Sequence, residues 1–517
     1  MAAVFGAYAP ALNIPYQQRG ERAPPPGGMS RRTASIRRGA AARRKVLFVT
    51  TEITDFVKAG GLGDVSAALP RALRGSQNMR VLIPGYRSLL QKCGAIRHVG
   101  KIRARAGMPA CEVGEITRPD GLRILVLLHP ELYERDGTPY EAGNGSEWAD
   151  NGLRFATLSH AAAEIAEGHA SMRWRPQLVH LNDWPCALTA AYLKWRGSGV
   201  PTMLTIHNLA YQGLFPHTLR EKLGMPQDPE LDFHGKMSFL RGGLAHADYV
   251  TTVSRCYAGQ ITLPEYGCGL HELLQQRMAQ GRLIGIVNGI DDSWDPTCDP
   301  ALAAHFSADR QDGRERNTDV VRREFHLLPS NGPLFSVVAR LVHQKGLDLI
   351  CDAAPQIVAA GGQIAIIGRG EPRLERRVTE LARRFHGQVA AQVGFSEAVA
   401  RRMFAGSDFL LMPSRFEPCG LSQMYAQCYG SLPIAHATGG LVDTIDDGVT
   451  GLLFNDATVG SLRRSLQRAF RIHASPSLLH AMRRAAMVQP HDWAQSCQRY
   501  VALYERAAPV KASVLYS

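Results

Sequence analysis

Short apolar runs alternate with segments of helical periodicity from Lys45 to near the end of the chain. Runs of this length, bounded by Gly, Pro, Asn or Asp and followed by helices, are typical of βαβ units with parallel strands. In the first half of the chain the predicted strands are KVLFVT (45–50), RILVLLH (123–129), QLVHLN (177–182), TMLTIH (202–207), YVTTVS (249–254) and LIGIVNG (283–289).

A second series of strands follows a polar stretch at residues 307–324: LFSVVA (334–339), QIAIIG (363–368), QVAAQVGF (388–395), FLLMP (409–413) and LPIAHA (432–437). We therefore predict an α/β fold with two doubly wound, Rossmann-like domains that face a central cleft. Ligands of such sheets bind beyond the carboxyl ends of the strands, so the cleft is the expected site. The predicted segments are a basic, disordered extension at 1–44, domains at 45–286 and 287–490, and an amphipathic helix with a tail at 491–517.

The formal net charge of +13 is concentrated at the amino terminus, where residues 1–45 hold nine basic residues and one acid, Glu21. Such a tail binds polyanions, is disordered, or acts as an organelle transit peptide. We favour the disordered extension and expect no nucleic-acid partner. No apolar run approaches the length of a membrane span, and the ten cysteines contain no C-x-x-C pair. We expect a cytoplasmic protein without a membrane partner, with a plastid as the alternative.

A glycine-rich turn, Lys58-Ala59-Gly60-Gly61-Leu62-Gly63-Asp64, follows the first predicted strand. Glycines at a strand-to-helix turn allow backbone N–H groups to face an anion, helped by the helix dipole. The spacing matches neither the G-x-G-x-x-G dinucleotide pattern nor a P-loop. By itself, the turn is either an anion site or only a tight turn.

Two polar side chains follow separate predicted strands, Asp183 in VHLNDW (179–184) and His207 in TIHNLAYQG (205–213). Each has an ordinary structural alternative, a helix N-cap for Asp183 and a hydrogen-bonded core residue for His207. Their matching positions at strand ends favour a functional site in the cleft.

Two cations, Arg340 and Lys345, flank the first strand-to-helix turn of the second domain. Cations at a helix start oppose the helix dipole, so an anionic ligand would explain them better than solvent does. Arginine suits bidentate phosphate contact and lysine acts as a point charge. The alternative is a pair of solvated surface cations.

The loop after the predicted strand 409–413 carries Glu417 ahead of Pro418-Cys419-Gly420-Leu421. Proline at a first helical position predicts a helix start with unpaired N–H groups, beside which a carboxylate can hold sugar hydroxyls. A further glycine turn, Thr438-Gly439-Gly440, follows the next strand. No D-x-D triplet occurs, so we expect no metal and no cofactor.

Taken together, these motifs resemble those of bacterial glycogen synthases and plant starch synthases, which are retaining glycosyltransferases of the two-Rossmann-domain (GT-B) architecture. The resemblance implies transfer of glucose from ADP-glucose to the non-reducing end of an α-1,4-glucan, such as glycogen, with release of ADP. It also implies that the helix within 491–507 crosses back to the first domain. The matching motifs are KAGGLGDV (58–65), HNLAYQG (207–213), FHGKMSFLRGGLAHADYVTTVS (233–254), VNGIDDSWDP (287–296), RLVHQKGLDL (340–349) and PSRFEPCGLSQMY (413–425).

For the donor, the resemblance implies that Arg340 and Lys345 hold the diphosphate and stabilise departing ADP without a metal. Glu417 would position the glucosyl unit rather than attack it, because the family is thought to use front-face attack with the leaving phosphate as base. The other implied donor-binding residues are Lys58, Gly60, Gly61, Asn288, Phe395, Cys419, Gly420, Leu421, Thr438 and Gly439.

On the acceptor side, the resemblance places His207 and Asp183 near the anomeric carbon. The acceptor-binding residues it implies are Tyr140, Asp183, Trp184 and Asn208. Two positions depart from the family pattern. Phe395 replaces a tyrosine that stacks on adenine, and stacking needs only the ring. Pro185 replaces the histidine of a D-W-H triplet.

Two alternatives stay open. Sucrose- or trehalose-type retaining enzymes often carry a second glutamate eight positions after the first. This chain has Tyr425 there, which favours the glycogen and starch branch. A non-catalytic glucan-binding relative is disfavoured because the residues expected to carry the chemistry are all present. The residues alone do not decide between ADP-glucose and UDP-glucose.

Overall fold

In the computed structural model of the protein, which describes residues 43–509, the first half of the chain is built around a nine-stranded sheet. Residues 1–42 of the predicted extension and residues 510–517 of the predicted tail lie outside the described residues. The strands of the first half are β1 (Lys45–Val49), β2 (Asn78–Pro84), β3 (Arg97–Ile102), β4 (Cys111–Thr117), β5 (Arg123–Leu128), β6 (Leu178–Asn182), β7 (Thr202–Ile206), β8 (Leu214–Phe215), β9 (Asp232–Phe233), β10 (Lys236–Ser238), β11 (Tyr249–Thr252) and β12 (Leu283–Gly285).

The large sheet has the order β12-β11-β7-β6-β1-β2-β5-β4-β3, and β8, β10 and β9 form a small separate sheet. Strand β1 pairs in parallel with both β2 and β6, so the carboxyl ends of the central strands meet at one edge. Strand β4 runs antiparallel to β3 and β5, which extends the parallel core with an antiparallel edge.

The helices of the first half cover the two faces of this sheet. The central parallel strands β1, β2, β6 and β7 are almost wholly buried, as expected for a parallel sheet covered on both sides, whereas the antiparallel edge strand β3 is largely exposed. These helices are α1 (Gly61–Leu73), α2 (Arg87–Leu90), α3 (Pro130–Tyr133), α4 (Asn151–Glu167), α5 (Trp184–Trp195), α6 (Thr218–Lys222), α7 (Phe239–His246), α8 (Arg255–Gln260) and α9 (His271–Ala279), with a short 3-10 turn at Pro229–Leu231.

The second half forms a six-stranded, all-parallel sheet. Its strands are β13 (Leu334–Val338), β14 (Gln363–Gly368), β15 (Val389–Val393), β16 (Phe409–Met412), β17 (Leu432–His436) and β18 (Leu452–Phe454), in the order β15-β14-β13-β16-β17-β18. The helices are α10 (Gly313–Glu324), α11 (Leu347–Ala359), α12 (Pro372–Arg384), α13 (Glu397–Gly406), α14 (Ser422–Cys428), α15 (Gly440–Thr444), α16 (Val459–His473), α17 (Pro476–Met487) and α18 (Ala494–Ala507), with a 3-10 turn at His343–Lys345.

The predicted α/β fold with two Rossmann-like sheets is confirmed. Every strand proposed from the sequence is present, whereas β2, β3, β4, β8, β9, β10 and β18 were not among the proposed runs. One local prediction is wrong: no helix starts at Pro418, because α14 begins four residues later, at Ser422. Within residues 43–509, no helix combines the length and the apolar character needed to cross a bilayer.

The last helix, α18, packs against the first sheet and not against the second. Its Tyr500 and Tyr504 are buried in the same hydrophobic core as strands β1 and β6. At its end, Arg44 Nε donates to the carbonyl of Ala508 at 2.9 Å. The chain therefore passes between the two sheets twice, once after β12 and once before α18.

A buried chain of hydrogen bonds fixes α18 to the sheet. His180 on β6 has its Nδ1 2.7 Å from the Tyr504 hydroxyl and its Nε2 2.6 Å from Thr205 Oγ1, and Thr205 continues to Thr251 at 2.6 Å. Burial lowers the pKa of His180 to about 3, and the neighbouring His207 adds to this effect. His180 is therefore neutral in the folded protein at neutral pH.

The buried neutral histidine predicts a specific acid instability. An unfolded histidine takes up a proton below about pH 6.5, whereas folded His180 does so only near pH 3, so its contribution to the free energy of unfolding is lost as the pH falls through this window. We expect His180→Gln to reduce the slope of unfolding free energy against pH by about 1.4 kcal/mol per pH unit. Urea unfolding between about pH 6 and pH 4 measures this, with the exposed His386→Gln as control. Equal slopes for the two variants would contradict the assignment.

Candidate functional site

The functional groups predicted from the sequence lie in loops that follow the carboxyl ends of the strands of both sheets. In the first domain, Asp183 directly follows the end of β6 at Asn182. His207, with Asn208 after it, directly follows the end of β7 at Ile206. In the second domain, Arg340 follows β13 and Glu417 lies in the loop after β16.

Asp183 has a strained backbone and an unusual set of partners. Its φ is +55° and its ψ is −176°, a combination of backbone angles that residues other than glycine rarely adopt. Asp183 occupies the N-cap position of α5, as the structural alternative had it, but its side chain makes no capping hydrogen bond to the helix. Instead, Asp183 Oδ1 accepts hydrogen bonds from the backbone N–H groups of His207 at 2.7 Å and Asn208 at 3.5 Å. The carboxylate therefore joins the ends of β6 and β7.

The tautomer of His207 follows from its neighbours. Asn182 Nδ2 donates to the carbonyl of Val49, which leaves Asn182 Oδ1 as an acceptor 3.0 Å from His207 Nε2. His207 Nε2 therefore carries the proton and Nδ1 keeps its lone pair. Burial lowers the pKa of His207 to about 3, so the ring is neutral. Burial also raises the pKa of Asp183 to about 7, against the lowering effect of the two amides.

Glu52, which the sequence analysis did not single out, is the link between the glycine turn and Tyr140. Its Oε2 accepts hydrogen bonds from the N–H groups of Ala59 at 2.7 Å and Gly60 at 2.8 Å, and its Oε1 accepts one from the Tyr140 hydroxyl at 2.7 Å. The residue is buried. Glu52 follows β1 by three residues, so the rule that located Asp183 would have found it as well.

The glycine turn differs from the prediction in one respect. The Gly60 amide was expected to face an anion, but it donates to Glu52 instead and is not available. Space, by contrast, is present: a Cβ on Gly60 would meet nothing within 4 Å, and one on Gly61 would lie 3.6 Å from Leu421 Cδ1 in the second domain. Lys58 Nζ is 2.7 Å from Asp64 Oδ1, across the same turn.

In the second domain, Lys345 and Glu417 form an ion pair. Lys345 Nζ lies 2.5 Å from Glu417 Oε2, which also accepts a hydrogen bond from Ser414 Oγ at 3.0 Å. Glu417 is buried and Lys345 is nearly so. Arg340 is exposed, and its Nη1 reaches the Tyr211 hydroxyl of the first domain at 3.5 Å. The two predicted cations therefore differ: one is committed to a carboxylate and the other faces the cleft.

The loop between Glu417 and α14 presents backbone amides without a helix. Within residues 43–509, the N–H groups of Cys419, Gly420 and Leu421 donate to no other residue. Gly420 has a φ of +72°, and a Cβ there would lie 2.3 Å from Gln423 Oε1, so only glycine fits. Asn288 lies beside Cys419, and its buried Oδ1 has no partner among the described residues.

The Thr438-Gly439 turn is bound to the first domain. The Gly439 amide donates to Gln260 Oε1 at 3.0 Å, and Gln260 Nε2 donates to Thr438 Oγ1 at 3.2 Å. As with Gly60, a residue predicted to bind the donor has its amide bonded to a side chain that was not among the predicted site residues.

The remaining predicted residues occupy the edges of the site. Trp184 opens α5 and packs against Phe155, with ring centroids 4.9 Å apart, and against Tyr140 at 6.5 Å. Asn208 Oδ1 accepts a hydrogen bond from the Ala210 amide at 3.1 Å. Phe395, after β15, is 64% exposed, which leaves its ring face open to a planar ligand.

The fold and the site together define a class. Two Rossmann-like sheets contribute strand-end loops to one cleft. The second domain lines it with cations and open amides, and the first domain lines it with the neutral ring of His207 and the side chains of Asp183 and Tyr140. This is the arrangement of a GT-B glycosyltransferase, in which an activated sugar bound by one domain meets an acceptor bound by the other.

Comparison with known proteins gives the family. The family described as "Starch synthase catalytic domain" matches residues 45–276, and "Glycosyl transferases group 1" matches residues 332–471. A protein named glycogen synthase from Xanthomonas oryzae pv. oryzae (strain MAFF 311018) is 62% identical over 472 residues, covering 91% of this chain and 93% of the relative. One from Pseudomonas aeruginosa is 54% identical over 468 residues, covering 90% and 91%. The chain belongs to the glycogen synthase family of glycosyltransferases.

Solved structures agree with this assignment. The catalytic domain of starch synthase IV from Arabidopsis thaliana, bound to ADP and acarbose, matches with a TM-score of 0.79 and 29% identity over 90% of this chain and all of that one. Sucrose-phosphate synthase from Thermosynechococcus elongatus matches with a TM-score of 0.56 and 18% identity, covering 90% of this chain and 99% of that one, and shows the shared fold only.

The strained backbone of Asp183 makes a prediction about stability. Asp183→Ala and Asp183→Gly both remove the carboxylate, but only glycine relieves the positive φ. We expect the glycine variant to be more stable by about 1 kcal/mol, and both variants to be inactive. Urea unfolding measures the difference.

Asp248 offers a matched control for this comparison. Its carboxylate also accepts a hydrogen bond from a strand-end amide, that of Thr202 at 2.8 Å, but its φ is not positive. There alanine should be as stable as glycine or more so. The same order of stability at both positions would show that strain at Asp183 is not the cause.

The hydrogen bonds of Glu52 predict that two substitutions at this position differ in their effect on stability. Glu52→Ala removes the acceptor of the Ala59 and Gly60 amides and one partner of the Tyr140 hydroxyl, whereas glutamine still offers a carbonyl oxygen to the two amides. We expect alanine to lower the unfolding free energy by about 3 kcal/mol and glutamine by about 1 kcal/mol. Chemical denaturation measures both. Equal and small losses would mean that the turn does not depend on this carboxylate.

Proposed function

We propose that this chain transfers glucose from ADP-glucose to the non-reducing end of an α-1,4-glucan, with retention of configuration and release of ADP. The observation that carries the proposal is the pairing of Lys345 and Glu417 beside open loop amides, opposite the Asp183–His207 pair. The relatives named glycogen synthase support the reaction, and the ADP bound to the starch synthase IV structure supports the donor.

The donor diphosphate is proposed to lie against Arg340 and Lys345, with Lys58 closing from the first domain. Arg340 is exposed and has one long contact, so its guanidinium can turn to two phosphate oxygens at little cost. These fixed cations stabilise the negative charge that develops on departing ADP, and on this proposal the reaction needs no metal ion. The exposed ring of Phe395 offers the base a stacking surface.

Glu417 is proposed to position the glucosyl unit rather than to attack it. Its Oε2 is hydrogen-bonded to an ammonium and to a hydroxyl, and both interactions reduce the nucleophilicity of a carboxylate. Together with the open amides of Cys419, Gly420 and Leu421, it presents acceptors and donors for sugar hydroxyls. Attack by the glucan on the same face as the departing phosphate then accounts for retention without a covalent intermediate.

The first domain is proposed to bind the acceptor. Trp184 supplies a ring for the glucan, and Tyr140 and Asn208 supply polar contacts beside it. Asp183, with a pKa of about 7, and neutral His207 lie where the glucosyl unit is transferred from the donor to the acceptor. The Tyr257 hydroxyl accepts a hydrogen bond from the Leu209 N–H at 3.1 Å, in the loop that follows His207.

A sucrose- or trehalose-type reaction finds less support. The position at which such enzymes carry a second glutamate is Tyr425, which is buried and stacks on Trp294 with ring centroids 3.7 Å apart. Tyr425 is therefore a packing residue. The proposed cellular location is the cytoplasm, in line with the bacterial relatives.

One assay tests the function. Purified protein with glycogen and ADP-glucose should release ADP at least tenfold faster than it releases UDP from UDP-glucose. Lys345→Met should lower kcat/KM for the donor by about 10² to 10³, whereas Lys101→Met, on the exposed edge strand β3, should leave it unchanged. Absence of turnover with either donor would refute the enzyme, and faster turnover with UDP-glucose would refute the donor.

A further inference from the structure

A contact between α8 of the first domain and α15 of the second joins the two halves of the protein. Asp443 Oδ2 on α15 accepts hydrogen bonds from the backbone N–H groups of Arg255 at 2.5 Å and Cys256 at 3.0 Å. Ser254 Oγ donates to the carbonyl of Pro418 at 2.6 Å. Because the first amides of a helix have no partner within it, a carboxylate from the other domain satisfies them here.

Gln260, the last residue of α8, extends this contact to the proposed donor site. The residue is buried, and both ends of its amide are used: Oε1 accepts from the Gly439 N–H at 3.0 Å and Nε2 donates to Thr438 Oγ1 at 3.2 Å. Among residues 43–509, no side chain of the second domain is bonded to the Gly439 amide or to the Thr438 hydroxyl. The position of the turn therefore depends on a side chain of the first domain.

The Thr438-Gly439 turn also contacts the backbone of Glu417. Gly439 has a φ of +47°, and a Cβ on it would lie 1.9 Å from the Glu417 carbonyl oxygen. The next amide, that of Gly440, donates to the same oxygen at 3.0 Å. A shift of the turn must therefore shift the loop that carries Glu417.

We propose that Gln260 is a positioning residue for the donor site: it holds the Thr438-Gly439 turn, and through it the Glu417 loop, in the geometry that binds the donor. This rests on the proposed function, which places the glucosyl diphosphate at these loops. Because Gly439 N–H is already bound to Gln260, the turn contributes shape and not an open amide. The opposite view is that Gln260 blocks the turn and that the donor displaces it.

Two isosteric variants of the full chain separate these views. Gln260→Met keeps the volume of the side chain and removes both hydrogen bonds. Gln275→Met on α9 is the matched control, because its amide donates to Thr262 within the first domain. A cooperative thermal transition first establishes that each variant folds. If Gln260→Met does not fold, Gln260→Glu takes its place, since it keeps the acceptor for Gly439 but loses the donor to Thr438.

Hydrogen exchange measures the position of the turn directly and does not depend on activity. We expect Gln260→Met to increase deuterium uptake at least tenfold in rate for the amides of residues 438–441, with no change in the control. With Gln260→Glu, the Gly439 amide should stay protected. Unchanged exchange in Gln260→Met would overturn the proposal, even if the protein turned out not to use ADP-glucose.

Kinetics then tests the consequence for the donor. We expect Gln260→Met to raise KM for ADP-glucose and Kd for ADP about five- to tenfold, the effect of losing a hydrogen bond or two, while KM for glycogen stays constant. Tighter ADP binding would support displacement and overturn positioning. Unchanged constants, with normal turnover by the unsubstituted protein, would overturn the proposal and leave the proposed function standing.

Discussion

The direction of parallel strand pairing is the constraint on which the site depends. A parallel sheet sends the carboxyl ends of its strands to one edge, so residues far apart in sequence arrive at one place. Glu52 follows β1, Asp183 follows β6 and His207 follows β7, while Arg340 and Glu417 follow strands of the second sheet. The buried strands supply most of the packing that stabilises the fold, and the loops at these ends supply little of it. Polar and strained residues are therefore tolerated in the loops.

The three carboxylates at the site differ because their partners differ. Glu52 is held by two backbone amides and a phenol, and Asp183 by two amides alone. Only Glu417 has a full positive charge beside it, that of Lys345. Burial raises the pKa of Asp183, which has no cation among its hydrogen-bond partners, to about 7. A donor diphosphate would share Lys345 with Glu417, so exposed Arg340 is the cation best able to supply additional charge.

The sequence was sufficient for the layout of this site and insufficient for its hydrogen bonds. Strand ends can be found from apolar runs, and with them Asp183, His207 and Glu417. Glu52 also follows a strand end and lies within reach of this rule, but its bond to the Gly60 amide does not follow from the rule. Gln260, the partner of the Gly439 amide, is outside its reach, because it comes from a different domain, 179 positions away in sequence. The helix predicted at Pro418 failed for a related reason: the loop is held by contacts of Ser254 and Gly440, which no local propensity records.

The distribution of contacts between the domains determines how the cleft can open. At one end, Ile290 N–H donates to the His491 carbonyl at 2.8 Å and Ser496 Oγ donates to the Val287 carbonyl, so the two chain crossings lie side by side. The α8–α15 contact adds the bonds of Asp443 and Gln260. Towards the glycine turn, the contacts are weak: Arg340 reaches Tyr211 at 3.5 Å, and Gly61 faces Leu421 without a hydrogen bond. Weak contacts separate first, so we expect the glycine turn to swing away from Glu417 while the crossings serve as the hinge. A donor that bridges Lys58 and Lys345 would then oppose opening, and would exclude water from the sugar until the glucan arrives.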